Sequence, residues 1–126
     1  MKKEGYKSLE VYRLAHELGT RIHEFSLRLP KYELYETGSQ LRRASKSISA
    51  NIVEGYGRRR YKAEFIRFLV FSQASCDETA EWLEYVRDCY QEDVEQTDEL
   101  LEKTHELDKK LNRFIQAVQE GHISPT

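Results

Sequence analysis

Proline is almost absent from this sequence. Pro30 and Pro125 are the only two, so the long stretch between them holds no residue that must break a helix. Cysteine is equally scarce: Cys76 and Cys89 lie thirteen residues apart, which within one helix separates them by roughly 20 Å on different faces. They cannot pair within one chain and match no zinc spacing, so both read as small apolar core residues. No run of eighteen apolar residues is present, and a membrane-spanning helix is not expected. The opening MKKEGYKSLEVY lacks the apolar segment of a secretion signal, so a cytoplasmic protein is expected. Alternation of apolar and polar residues with period two, the mark of half-buried strands, is missing at any useful length.

Patterns that carry chemistry are missing as well. A di-iron bundle needs two Glu-x-x-His motifs with further inward carboxylates, and only Glu102-Lys103-Thr104-His105 fits. His16, His23 and His122 have no matching carboxylate or cysteine pattern. A phosphate-binding glycine loop sits between a strand and a helix N-terminus, whereas Glu54-Gly55-Tyr56-Gly57-Arg58 lies between two helical stretches with no Lys-Ser/Thr after it. No serine, threonine or cysteine has a recognisable base beside it. The expectation is a protein that is not an enzyme and uses no metal and no cofactor.

What is present is helical periodicity. With 126 residues, 39% of them hydrophobic, the chain suits one domain with one core, spanning residues 1–126. Val11, Ala15, Leu18, Ile22, Phe25 and Leu29 alternate in steps of four and three, which predicts a first helix over 8–29, capped by Ser8 and ended by Pro30. A second helix is predicted over 35–55, with Gly55 and Gly57 as positive-φ caps. A third follows over 61–90. The polar QEDVEQTD ends it, and a fourth over 94–120 carries Leu100, Thr104, Leu107, Leu111, Phe114 and Val118 and closes at Gly121. The last residues, HISPT, read as a frayed tail. Four such helices with short connections pack as an all-α, antiparallel, up-down-up-down four-helix bundle.

The second and third helices carry more than one seam. On the third, Tyr61, Phe65, Phe68, Ser72, Ser75, Thr79, Trp82, Val86 and Cys89 form one row, and Ile66, Leu69, Gln73, Cys76, Ala80 and Leu83 its neighbour. That is more apolar surface than one core covers. On the second, Leu41, Ser45, Ile48 and Ile52 face one way, while about 110° round the helix lie Gln40, Ser47, Asn51 and Glu54, with Arg43 beside them. A polar row of small residues next to an apolar one suits packing against another subunit.

Charge is uneven along the chain. Residues 1–70 hold 15 Lys/Arg and 8 Asp/Glu, and residues 71–126 hold 5 and 14, although the total is only −2. Either neighbouring helices neutralise one another or a basic surface survives folding. Arg58, Arg59, Arg60, Lys62 and Arg67 are interleaved with Tyr56 and Tyr61, a mixture in which guanidinium groups hold phosphate and aromatic rings stack on unpaired bases. The competing reading pairs these arginines with the acidic stretch from Glu92 to Glu102.

The segment SQLRRASKSISANIVEGYGRRR, preceded by LPKYELYE and followed by EFIRFLVFSQASCDETAEWLEY, resembles the four-helix bundle family named after proteins encoded in intervening sequences of bacterial 23S ribosomal RNA genes. The likeness runs from about Tyr6 to Val118. Its recurrent positions fall here on Gln40, Arg43, Ala44, Ser47, Ile48, Asn51, Ile52, Glu54, Gly55 and Arg58. Ser49 replaces a common proline, and Glu36-Thr37-Gly38 replaces a Gly-Leu pair. The resemblance implies the bundle fold and assembly as a homopentamer ring. The chain is also similar to the accessory protein of diversity-generating retroelements, which binds nucleic acid, although those relatives are markedly basic and this chain has a pI near 6.1. Two functions follow as expectations: an oligomeric scaffold that binds structured RNA or a ribonucleoprotein through the basic turn, or an adaptor for a protein partner whose charged turns mediate assembly or docking.

Overall fold

A computed structural model describes residues 5–121, so the HISPT tail and His122 lie outside the described residues. Its four helices are α1 (Glu10–Leu27), α2 (Thr37–Gly57), α3 (Lys62–Cys89) and α4 (Val94–Gln119), with single 3₁₀ turns at Gly5–Ser8, Lys31–Glu33 and Gln91–Asp93. Each helix packs on its neighbours in cyclic order, α1 on α2, α2 on α3, α3 on α4 and α4 on α1, and among the described residues the backbones of the diagonal pairs stay apart. Short connections between long helices force antiparallel neighbours, and the expected four-helix architecture is what forms. No strand occurs among the described residues.

The core is built from the stripes. Leu18, Ile22 and Phe25 of α1 meet Leu41, Ile48 and Ile52 of α2, Phe65, Leu69, Leu83 and Val86 of α3, and Leu100, Leu107 and Leu111 of α4, all at most 3% exposed. On α4 the stripe passes through Ile115, at 6% exposure, rather than Phe114, which is only half-buried. On α3 the buried seam runs between the two expected rows, through Phe65, Leu69, Ser72, Cys76, Thr79, Leu83 and Val86. Two polar groups on this seam satisfy themselves across helices: the Ser72 hydroxyl donates to the Ile48 carbonyl at 2.8 Å, and the Cys76 thiol to the Thr104 carbonyl at 3.3 Å. Burial, reinforced by Asp108 and Asp77, pushes the Cys76 thiol up to about 12. Cys89 departs from expectation: it is exposed, one turn beyond the seam, and both cysteines are free.

Helix ends correct three expectations. Ser8 does not cap α1; its hydroxyl donates to the Gly5 carbonyl within the preceding turn, and α1 starts after Leu9 without a side-chain cap. α1 also ends at Leu27, two residues short of Leu29. Gly55 and Gly57 have no positive φ, because α2 continues through them and stops at Arg58, whose φ is −105°. Gly55 serves close approach instead. A Cβ there would lie 3.1 Å from Phe68 Cβ and 3.2 Å from the Phe65 carbonyl oxygen, so its absence lets α3 seat against α2. The expected glycine stop is realised at Gly121, where φ is +80° and the N–H donates to the Val118 carbonyl.

The two halves of opposite charge lie side by side because α4 packs against α1. Arg21 pairs with Glu99 at 3.2 Å and Lys110 with Glu10 at 3.5 Å across that junction, and Arg87 of α3 meets Asp98 of α4 at 2.5 Å. The Asp98 carboxylate raises the Arg87 pKa further, first through the hydrogen bond and then through its charge. At this end of the bundle the Tyr90 hydroxyl donates to Glu33, whose carboxylate also accepts the Thr37 N–H at 3.1 Å and so serves the start of α2. These bonds hold the Glu33 carboxyl below its ordinary value and the Tyr90 phenol above its own.

Candidate functional site

The basic turn connects α2 to α3, and most of its cations are occupied by their own neighbours. Arg58 donates from Nε to Glu54 at 3.0 Å, reaches Glu64 at 3.4 Å and lies 4.7 Å from the centre of the Phe68 ring. Arg67 also reaches Glu64, at 3.7 Å, and stands over Phe71 at 5.3 Å. Arg59 folds back, donating to the Tyr56 carbonyl at 2.9 Å and stacking on the Tyr56 ring at 4.0 Å. Lys62 donates to the Gln119 carbonyl at 2.9 Å, a cation at the C-terminus of α4, where the helix dipole favours one. Arg60 is exposed and has no partner among the described residues, and Tyr61 beside it is 64% exposed. Tyr56 is half-buried, edge-on to Phe65.

Among the described residues, none of these arginines meets the stretch from Glu92 to Glu102. Asp98 and Glu99 of that stretch are taken by Arg87 and Arg21. The partners are Glu54 and Glu64, which flank the arginines within one or two helical turns. The i,i+4 spacing of Glu54 and Arg58 carried that signal in the sequence.

Next to the turn, α2 and α3 present a continuous outer face. From α2 come Gln40, Arg43 and Glu54, all exposed, and Ser47 and Asn51, both half-buried, with the Asn51 amide donating to the Ser47 carbonyl at 3.0 Å. From α3 come Phe68, Phe71, Ser75, Glu78, Trp82 and Tyr85. These step by three and four residues, the interval that keeps side chains along one line of a helix. Phe71 is 39% exposed and Tyr85 51%, with Val70 flanking them at 46%. Phe68 and Phe71 make an edge-on pair at 5.2 Å, and the Trp82 indole donates to Glu78 at 3.2 Å. The surplus of apolar surface on the third helix is therefore real, but its most exposed members, Val70, Phe71 and Tyr85, fell outside both rows drawn from the sequence. The 3-4 spacing from Phe68 to Tyr85 was the signal that locates Phe71 and Tyr85, whereas Val70 lies about 100° further round the helix.

Among the described residues no three His, Cys, Asp or Glu side chains come together in a way that could hold an ion. Glu102 and His105, the single Glu-x-x-His motif, are both exposed on the outside of α4. No helix among the described residues is long and apolar enough to cross a membrane.

Of the recurrent residues of the second helix, Gln40, Arg43, Ser47, Asn51 and Glu54 line one outer face beside the turn while Ala44, Ile48, Ile52 and Gly55 are buried, and comparison with known proteins agrees with the likeness they carry. The family model described as 23S rRNA-intervening sequence protein matches residues 7–113. The fold is similar to that of a protein with unknown function from the S23 ribosomal protein family of Bacteroides thetaiotaomicron VPI-5482, solved by crystallography at 1.70 Å. That match has a TM-score of 0.76 and 26% sequence identity, and covers 83% of this chain and 97% of the other. No curated protein sequence matches closely enough to count as a relative. With most of its length matched by the family model and its bundle matched by a solved member, this chain belongs to the 23S rRNA-intervening sequence protein family.

Proposed function

We propose that this protein is a non-enzymatic scaffold that works as a ring of its own copies, with the outer face of α2 and α3 as a subunit interface. The observation that carries the reading is the line from Phe68 to Tyr85, because a helix facing only water has no reason to expose Phe71 and Tyr85 along one edge. The polar row Gln40, Arg43, Ser47, Asn51 and Glu54 borders that line and supplies the hydrogen-bonding rim of a protein contact. Five copies is the number the family resemblance implies. An exposed free thiol at Cys89 fits the reducing cytoplasm. Native mass spectrometry tests the reading: a single oligomeric species for the natural chain, reduced to monomer by Phe71→Asp, is expected. A monomeric natural chain sinks it.

A second reading has a specific observation behind it. Arg60 and Tyr61 stand exposed at the turn, with Arg59 stacked on Tyr56 beside them, and repetition around a ring turns weak contacts with structured RNA into avidity. The family's name, tied to 23S ribosomal RNA genes, points the same way. Arg58 and Arg67 are neutralised by carboxylates and Lys62 is held at the C-terminal dipole of α4, whereas Arg59, held only by the Tyr56 carbonyl and ring, and Arg60 keep an uncompensated charge in each copy. RNA affinity should fall with salt at a slope set by those two residues per copy, and Arg59→Ala with Arg60→Ala should abolish it while leaving the oligomer intact. If the double change splits the oligomer instead, the turn is an assembly element and the protein-adaptor reading takes its place.

A further inference from the structure

A groove of about 450 Å³ runs between α1 and α2, within the range of small-ligand sites, about 300–1,000 Å³. Small residues, Gly19, Thr20 and Ser49, keep it open, and His16, His23, Glu24 and Lys46 supply its polar groups. Its two charged side chains are opposite in sign and unused: neither Lys46 nor Glu24 makes an ion pair among the described residues. Gly19 sits against the Ser45 carbonyl, where a Cβ would lie 3.6 Å from the oxygen. That register sets Lys46 near the level of Gly19, and Glu24 lies further along α1 by five residues, roughly 7 Å. Side chains lean toward the N-terminus of their own helix, so in this antiparallel pair the two lean toward each other. They still do not close into a salt bridge.

The hydrogen-bonding groups of the groove divide in the same way. The Thr20 hydroxyl donates to the His16 carbonyl at 3.1 Å and the Ser49 hydroxyl to the Lys46 carbonyl at 3.3 Å, so both protons are committed and the oxygens offer lone pairs. Those lone pairs and the Glu24 carboxylate accept; Lys46 donates. His23 is half-buried, with its Nδ1 enclosed and without a partner among the described residues. A half-turn of the imidazole about χ2 carries that nitrogen from the enclosed edge toward the open one. We propose that the groove binds a short zwitterion, a free α-amino acid or a dipeptide, with its carboxylate at Lys46 and His16 and its ammonium at Glu24 beside His23. A simple anion would be repelled by Glu24 and a simple cation by Lys46, whereas a molecule carrying both charges satisfies both ends. The site uses no residue of the proposed subunit interface and none of the arginine turn.

Amide-detected NMR titration of the natural full-length chain at fixed ionic strength tests it, with alanine and alanylalanine as probes. One of them should shift the signals of residues 16–24 and 46–50 saturably, with a Kd of about 1–10 mM, and the tighter of the two fixes the length of the ligand. Capping that probe by N-acetylation or by C-terminal amidation removes one charge at a time, and each should weaken binding by about fivefold. Lys46→Ala should then bind the free and amidated probes alike, and Glu24→Gln the free and acetylated probes alike. Both side chains are exposed, so both variants should keep the helical circular dichroism of the natural chain. The proposal is overturned if neither probe gives a saturable shift at the groove up to about 20 mM. It is overturned equally if the capped probes bind as tightly as the free one, or if the two variants keep the natural discrimination.

Discussion

The third and fourth helices are close in length, at 28 and 26 residues, and each buries a seam of seven or eight side chains, yet their outer faces differ. The outside of α4 carries Glu99, Glu102, Lys103, His105, Glu106 and Lys109, all exposed and all polar. The outside of α3 carries Val70, Phe71 and Tyr85 among its charges. One seam completes α4, since water solvates everything else it presents. The same seam leaves α3 unfinished, because apolar surface in a line keeps its hydrophobic driving force until a second partner covers it. The lesson is that identical folding roles inside a bundle do not imply identical roles outside it.

The largest effect that sharpens this contrast lies on the inner side, where the two helices should behave alike. Leu69→Ala on α3 and Leu107→Ala on α4 both empty fully packed positions, and each should cost about 2–5 kcal/mol in chemical denaturation. A difference well beyond that range would mean the helices are not equivalent in the core either. Next in size, Gly55→Val forces a branched side chain into the 3.1 Å approach to Phe68, with an expected loss of about 1–3 kcal/mol by the same assay. An unchanged midpoint would show that α3 can move away from α2 freely.

On the outer side the contrast should appear in assembly rather than in monomer stability. Phe71→Ser should dissociate the oligomer while Lys103→Ala on α4 leaves the mass unchanged, and either result reversed breaks the comparison. The smallest effect concerns Asp108, where α4 turns a carboxylate toward Asp77 of α3. Burial first, then Asp77, holds its pKa above the ordinary value, and one of its oxygens has no partner among the described residues. A raised carboxyl destabilises the fold only where it ionises. The cost is absent below the ordinary carboxylate range, grows as pH rises through that range to the raised value, and is constant above it. Asp108→Asn should therefore stabilise at neutral pH by about 0.5 kcal/mol or less, given the partial exposure. The gain should vanish in thermal melts below about pH 4.

How much of this was legible in the sequence follows from what each signal encodes. Apolar spacing located the four helices and most of the core, because burial selects residues by type at a fixed interval, but it put Phe114 in place of Ile115 and split the single buried seam of α3 between two rows. Glycine was misread at Gly55 because one residue type serves two needs, a positive φ and a missing Cβ, and only the neighbouring helix decides between them; Gly121 had no neighbour and was read correctly. Ser8 failed as a cap because α1 starts one residue later, with Leu9 at the cap position, and Ser8 belongs to the preceding turn, where its hydroxyl donates to the Gly5 carbonyl. At the turn, Arg58 with Glu54 and Arg67 with Glu64 were readable as i,i+4 and i,i+3 pairs, whereas Arg58 with Glu64 was not, since only the bend that brings α3 back beside α2 joins them. The groove beside His23 was not legible at all. It is a space between two helices, and its floor residues Gly19 and Ser49 are thirty positions apart.

The junction of Lys62 with the end of α4 bears on how the protein can be handled. Lys62 touches Gln119, and Gly5 lies beside Tyr56, so both ends of the described chain emerge at the same pole of the bundle as the arginine turn. An affinity tag fused at either terminus would shadow the surface whose ligand is sought. Tyr35, 85% exposed in the connection between α1 and α2, sits at the opposite pole. A cysteine placed there for immobilisation or a fluorophore, with Cys89 first changed to serine, would leave the turn open to whatever binds it.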